Sequence, residues 1–182
     1  AARVMLVDDD EVNLLLTAIA LRERGFEVVE IEDGAKALER LDAVAPDMIV
    51  LDALMPGMDG FETCQALRAR GGYAQTPVLM LTGLDDDASI NRAYEAGATD
   101  FFVKSTQWSL LAGRLRHLLR SSSIRIELER SKAKLARAQA AIDQRHRHRA
   151  ALAMAEHQAV AAGALRRHHV ARSGHGGIRH SA

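Results

Sequence analysis

Five short β-branched and aliphatic runs alternate with segments of helical periodicity between residues 1 and 120. The predicted strands span residues 4–8, 27–31, 48–52, 78–82 and 100–104. The helices predicted between them span residues 11–24, 35–43, 61–70 and 88–96, and a fifth begins near Trp108. This alternation predicts an α/β fold with a parallel sheet, covered on both faces and joined by right-handed crossovers.

Apolar spacing supports the first and the last of these helices. In the first helix the apolar residues recur at intervals of three or four, at Val12, Leu15, Leu16 and Ile19. The fifth helix carries an apolar face made of Leu111, Leu115, Leu118 and Leu119. Asp10 and Glu11 precede the first apolar turn, where the helix dipole favours acids, so we interpret them as helix-terminal residues.

Carboxylates stand where two of the predicted strands end. Asp8 and Asp9 follow the first strand, and Asp52 ends the third. Ligands bind beyond the carboxyl ends of the strands in parallel sheets of this kind, so these acids are expected to share one rim. Such a cluster needs a compensating cation, and oxygen-only ligands suit Mg²⁺. Thr82 and Lys104 end the fourth and fifth strands, so the rim has the groups for phosphoryl transfer onto Asp52.

The motifs together resemble the receiver domains of two-component response regulators. The matching residues are Asp8-Asp9, Asp52 with the following residues 55–60 (Met-Pro-Gly-Met-Asp-Gly), Thr82-Gly83, and Lys104, over residues 3–120. The resemblance implies a flavodoxin-like, doubly wound five-stranded sheet in the order 2-1-3-4-5, the order for which a chemotaxis receiver is a standard example. It also implies a phosphorelay function, with phosphoryl transfer from a sensor histidine kinase or a histidine phosphotransfer protein.

The resemblance assigns roles to individual residues. Asp52 is the implied phosphoacceptor, and the implied Mg²⁺ ligands are Asp9, Asp52, the Leu54 carbonyl and, through water, Asp8. Thr82 and Lys104 are expected to hold the phosphoryl oxygens, and Phe101 to move with Thr82 as the switch aromatic. Receivers usually carry Lys-Pro with a cis bond where this chain has Lys104-Ser105, and a non-proline cis bond costs roughly 3 kcal/mol.

Two leucines are expected to control how long the phosphoryl group persists. In receivers the side chains two residues after the phosphoacceptor and two after the threonine flank the path of the attacking water. Here these are Leu54 and Leu84, which cannot hydrogen-bond to water and so predict slow self-dephosphorylation.

The sequence changes character after residue 121. We predict a receiver domain at residues 1–121, a helical linker at 122–145 and an Ala/Arg/His-rich, partly disordered tail at 146–182. In the linker Leu128, Leu135 and Ile142 recur every seven residues, which is half of a coiled-coil seam and leaves a homodimer open. A second metal site, in the tail, is disfavoured because the spacing of His146, His148, His168 and His169 fits no compact ligand set.

Composition bears on partners and compartment. Lys plus Arg and Asp plus Glu are both 24, so net charge gives no argument for nucleic acid or an anionic membrane. The single cysteine, Cys64, excludes an internal disulfide framework and is predicted to be inert. No apolar run is long enough to span a membrane, and the first strand leaves no room for a signal peptide. We therefore expect a cytoplasmic phosphoprotein.

The sequence leaves three alternatives to a stand-alone receiver. An Asp-nucleophile phosphohydrolase typically places a second acid two residues after the nucleophile, but Leu54 stands there. A nucleotide-binding module would carry a glycine-rich phosphate loop after the first strand, but this chain has Asp9 and Asp10 there. The third alternative is the regulatory N-terminal fragment of a larger cyclic-di-GMP synthesis or degradation enzyme. We expect no turnover enzyme, only a protein that catalyses its own phosphorylation and dephosphorylation.

Overall fold

The computed structural model describes residues 1–83, 87–104 and 107–173. Five strands are present in this part of the chain: β1 (Arg3–Val7), β2 (Glu27–Ile31), β3 (Met48–Asp52), β4 (Val78–Thr82) and β5 (Asp100–Val103). They alternate with the helices α1 (Glu11–Arg22), α2 (Gly34–Val44), α3 (Gly60–Ala69), α4 (Asp87–Glu95) and α5 (Trp108–Ser173). The predicted elements are confirmed to within a few residues at their ends.

All five strands are parallel, and they lie in the order β2-β1-β3-β4-β5. The predicted flavodoxin-like, doubly wound sheet is therefore confirmed. The register pairs Asp52 with Leu81 across β3 and β4, and Thr82 with Val103 across β4 and β5. Because the strands are parallel and in register, their carboxyl ends form one edge, where the predicted site residues follow.

The sheet separates two apolar layers. On one face, alternate strand residues such as Met5 and Val7 pack with buried residues of α2, α3 and α4. On the other, Val4 and Leu6 pack with buried residues of α1 and α5. Burial on both faces explains why the inner strands β1, β3 and β4 are nearly continuous apolar runs.

The evenly spaced apolar residues of α1 correctly predict a helix but do not form its packed face. Its evenly spaced residues are exposed, and the exposed fractions fall from 65% at Val12 to 44% at Ile19, with Leu15 and Leu16 between them. The side toward the sheet is formed instead by Leu14, Thr17, Ala18 and Leu21. Since apolar residues occur around most of this helix, spacing could not identify the packed side, and the small Ala18 side chain permits close contact with the sheet.

The apolar face predicted for α5 is confirmed within its first turns, where Leu111, Leu115 and Leu118 are buried. Every side chain of α5 from residue 123 to residue 161 is exposed. The chain divides into two units, Ala1–Glu127 and a second that begins at Leu128. The division predicted at residues 121 and 145 stays a prediction, because α5 runs across both positions.

Candidate functional site

Three carboxylates meet at the carboxyl edge of the sheet. One carboxylate oxygen from each of Asp8, Asp9 and Asp52 lies within 4.8 Å of the other two. Asp8 and Asp52 are buried, with 2% and 5% of their surfaces exposed, whereas Asp9 faces solvent. Topology brings these acids together as the sequence predicted, since β1 and β3 are adjacent in the sheet.

Lys104 joins two of these acids from the end of β5. Its Nζ donates a hydrogen bond to Asp8 Oδ2 at 3.0 Å and lies 2.9 Å from Asp52 Oδ1. The Lys104 backbone N–H donates to the Thr82 carbonyl at 2.8 Å, which fixes the start of this side chain beside β4. A single ammonium group therefore neutralises part of the charge of the acid cluster.

The electrostatics of the site follow from burial and crowding. Burial raises the pKa of the Asp52 carboxyl; Lys104 opposes this rise, and the nearby charges of Asp8 and Asp9 add to it. Burial alone lowers the pKa of the Lys104 ammonium, but the contacts with Asp52 and Asp8 outweigh it and leave this pKa raised. Lys104 is therefore a fixed cation, while an anionic Asp52 benefits from every positive charge placed beside it.

The backbone that follows Asp52 is hydrogen-bonded on both sides and passes very close to Gly60. The Ala53 N–H donates to the Leu81 carbonyl at 2.8 Å, and the Gly60 N–H donates to the Ala53 carbonyl at 3.0 Å. A Cβ atom added to Gly60 would lie only 2.0 Å from the backbone oxygen of Asp52. Only glycine therefore fits at the point where the loop after Asp52 returns to start α3.

Contacts around Asp59 were not identified from the sequence. Asp59 caps α3 by accepting from the Glu62 N–H at 2.8 Å, and Glu62 accepts from the Asp59 N–H in return. The Arg92 guanidinium, from α4, donates to Asp59 at 2.8 Å and lies 4.0 Å from the centre of the Phe61 ring. The spacing of Asp59 and Glu62 is a recognisable capping box, but no local signal indicates the contact with Arg92.

The donor set at this edge fits Mg²⁺. The three side chains offer only carboxylate oxygens, which are the hard ligands this ion prefers, and the exposed Asp9 leaves space for the waters that it retains. No histidine or cysteine belongs to the cluster, so the softer transition metals have no preferred ligand there.

The remaining predicted site residues occupy different environments. Thr82 is buried at the end of β4, and Phe101 is half-buried, with its ring 6.0 Å from that of Tyr94 in an edge-to-face arrangement. The Leu54 side chain is 57% exposed, directly beyond the buried Ala53. Leu84 lies outside the described residues, and so does Ser105, on which the geometry of the Lys104-Ser105 bond depends.

The arrangement brings together the kinds of group that phosphoryl transfer onto an aspartate uses. Asp52 offers a carboxylate oxygen, Lys104 places an ammonium beside it, and Asp8 and Asp9 add further carboxylate oxygens. The predicted grouping of these four residues at one edge is present in the structure.

Known response regulators are similar in sequence to the part of the chain that contains this site. Residues 4–116 match the family model described as the response regulator receiver domain. The DNA-binding response regulator MtrA of Mycobacterium tuberculosis H37Rv is 36% identical over 118 residues, which cover 65% of this chain and 50% of MtrA. The response regulator PleD of Caulobacter vibrioides is 36% identical over 130 residues, covering 71% of this chain and 29% of PleD. This chain thus spans about half, or less, of the length of these relatives.

Solved structures are similar over the same region. A putative response regulator from Chloroflexus aurantiacus superimposes with a TM-score of 0.63 at 31% identity, covering 65% of this chain and 98% of that one. The BeF3-activated N-terminal receiver domain of Klebsiella pneumoniae RstA superimposes with a TM-score of 0.59 at 34% identity, with coverage of 65% and 98%. Both matches cover nearly the whole of the compared chain, so the similarity is to a complete domain.

Proposed function

The chain belongs to the response regulator receiver domain family, and on that premise we propose that it accepts a phosphoryl group on Asp52. The donor is a phosphohistidine of a sensor kinase or a histidine phosphotransfer protein. The observation that carries this proposal is the contact of Lys104 with both Asp8 and Asp52 at the carboxyl edge of the sheet. It combines a buried nucleophile, a cation and a set of oxygen ligands in one place.

The transfer uses groups that the chain already positions. An Asp52 carboxylate oxygen forms a bond to phosphorus, while the bond from phosphorus to the donor imidazole nitrogen breaks and its electron pair stays on that nitrogen. Lys104, which lies beside Asp52, can pair with a phosphoryl oxygen once Asp52 carries the acyl phosphate. Thr82 supplies a hydroxyl from the adjacent strand end, and Phe101 follows the position of Thr82 as the switch aromatic.

Asp9, Asp52 and the Leu54 carbonyl would hold Mg²⁺ directly, with Asp8 acting through water. When bound, this ion would supply positive charge to the phosphoryl oxygens. Asp9→Ala is expected to weaken Mg²⁺ binding strongly, because it removes one of the two carboxylates that would contact the ion directly. Isothermal titration with MgCl₂ tests this role, and an unchanged affinity would exclude Asp9 as a ligand.

Incubation with acetyl phosphate and Mg²⁺, followed by intact mass measurement, tests the proposed function. The parent protein should gain one phosphoryl group, and Asp52→Asn should gain none. Asp10→Asn is the matched control, since Asp10 lies on the same edge but accepts from the N–H groups of Val12 and Asn13 as the cap of α1. Full uptake by Asp52→Asn would disprove the assignment.

The same experiment separates a receiver from a phosphohydrolase. A receiver releases phosphate in proportion to the protein that was loaded, whereas a hydrolase continues to release it while donor remains. Continued turnover beyond the rate of self-dephosphorylation would favour the hydrolase. The output of the receiver, including a connection to cyclic-di-GMP synthesis or degradation, stays a prediction for which genomic sequence surrounding this coding region is the direct test.

A further inference from the structure

The middle of α5 presents its side chains to solvent. All its side chains from residue 123 to residue 161 are exposed, and 76% of the surface of Leu135 is accessible. Long helices in water take most of their stability from burying an apolar face, so a helix of this kind is expected to bury one against another molecule.

An apolar seam runs along this segment. Its positions alternate at intervals of four and three residues, and they are Ile124, Leu128, Ser131, Leu135, Ala138 and Ile142. The four large residues of the seam are all exposed. Arg145 and Arg149 occupy the next two positions, so the seam ends at Ile142. Intervals of four and three are the spacing by which two helices pack side by side in a coiled coil.

We propose that residues 124–142 of α5 pair in parallel with the same residues of a second copy of this chain. In a parallel pair Glu127 faces Lys132 of the second copy, and the symmetry repeats this attraction on the other side. An antiparallel pair with full overlap of the seam places Lys132 opposite Lys132, and Lys134 opposite Lys134. Charge therefore selects both the occupant and its direction.

The seam is short, and two of its six positions are the small residues Ser131 and Ala138. The pair is therefore weak, and we expect its dissociation constant to lie between roughly 1 and roughly 100 µM. This pairing lies outside the region that matches the receiver family and does not depend on phosphoryl transfer, so it is tested on the unphosphorylated protein.

Sedimentation equilibrium of the full chain over that concentration range tests the pairing. The parent should shift from monomer to dimer, and Leu135→Glu should raise the dissociation constant at least about tenfold. Ile126→Glu is the matched control, because Ile126 is an exposed isoleucine on the opposite side of the helix. A monomeric parent, or equal effects of the two substitutions, would overturn the proposal.

Cross-linking tests the direction of the pair. Ser131→Cys should form an intermolecular disulfide on mild oxidation, since residue 131 faces itself across a parallel seam, whereas Ile126→Cys should not. The native Cys64 does not interfere, because it is fully buried. A dimer in which Ser131→Cys fails to cross-link, or in which Glu127→Lys is not rescued by Lys132→Glu, would overturn the parallel arrangement.

Discussion

The Lys104 ammonium lies 2.9 Å from Asp52 Oδ1, so the proposed nucleophile is paired with a cation from the chain itself. Both groups are largely withdrawn from solvent, and Lys104 also contacts Asp8. The pair joins the end of β3 to the end of β5, two strands that are separated by β4. Its loss should therefore affect both the stability of the fold and the chemistry of the site.

Lys104→Met should destabilise the metal-free protein by about 1–2 kcal/mol, because Asp8 and Asp52 lose their shared cation. Mg²⁺ should recover much of this loss by taking the place of the missing charge. Urea unfolding with and without MgCl₂ measures both effects. Lys36→Met, which removes an exposed lysine paired with Glu32, is the control and should have a much smaller effect than Lys104→Met.

Gly60→Ala should slow phosphoryl uptake and destabilise the fold by about 1–3 kcal/mol, since the new Cβ atom collides with the Asp52 backbone oxygen. Initial rates with acetyl phosphate and thermal unfolding measure the two effects. Gly71→Ala meets open space and should change neither. Normal uptake by Gly60→Ala would mean that the position of Asp52 does not depend on this close contact.

Leu54→Asn and Leu84→Glu should each shorten the lifetime of the phosphorylated protein, because each offers a polar group to the water that attacks phosphorus. The measurement is phosphate release after the donor has been removed, for the parent and both variants. A parent that loses its phosphoryl group as fast as the variants would show that these leucines shield nothing.

Deletion of residues 146–182 should leave the melting temperature of the receiver unchanged within about 1 °C, since the described side chains from 146 to 161 are exposed. Leu115→Ala, which removes a fully buried side chain of the same helix, should by contrast cost about 2–4 kcal/mol. Circular dichroism melts compare the two. A drop of several degrees on deletion would show that the removed segment stabilises the receiver.

The Cys64 thiol should resist alkylation by iodoacetamide in the folded protein, because burial raises its pKa and excludes the reagent. A raised pKa keeps the folded thiol protonated while the unfolded thiol ionises, so this group lowers stability as pH rises above about 8.5. The parent should therefore exceed Cys64→Ala in free energy of unfolding by less at pH 9.5 than at pH 7. Parallel pH profiles would contradict the shifted pKa.

Local pattern was enough to predict most of the elements. Short apolar runs identify β1 to β5, and the helices fall between them, because strand and helix periodicities are properties of short segments. The parallel topology then follows from the alternation. Since parallel strands end at one edge, the grouping of Asp8, Asp9, Asp52 and Lys104 could also be predicted.

Other features depend on residues that are distant in sequence. The spacing of Val12 and Ile19 predicts a helix, but the side of α1 that packs against the sheet carries Leu14 and Ala18. The contact between Arg92 and Asp59 joins residues 33 positions apart, and no local pattern encodes it.

The sequence alone determined which chemical groups stand at the strand ends. It also determined that they share one edge, because parallel strands all end on the same side of the sheet. Only the tertiary structure decided their contacts: Lys104 bridges Asp8 and Asp52, and Gly60 closes against the Asp52 carbonyl. The physical reason is that these contacts depend on how the strands and helices pack together. The periodicity of a sequence predicts the elements, but it does not give the 3.0 Å distance from Lys104 to Asp8 or the 2.0 Å that would separate an added Cβ atom at Gly60 from the Asp52 oxygen.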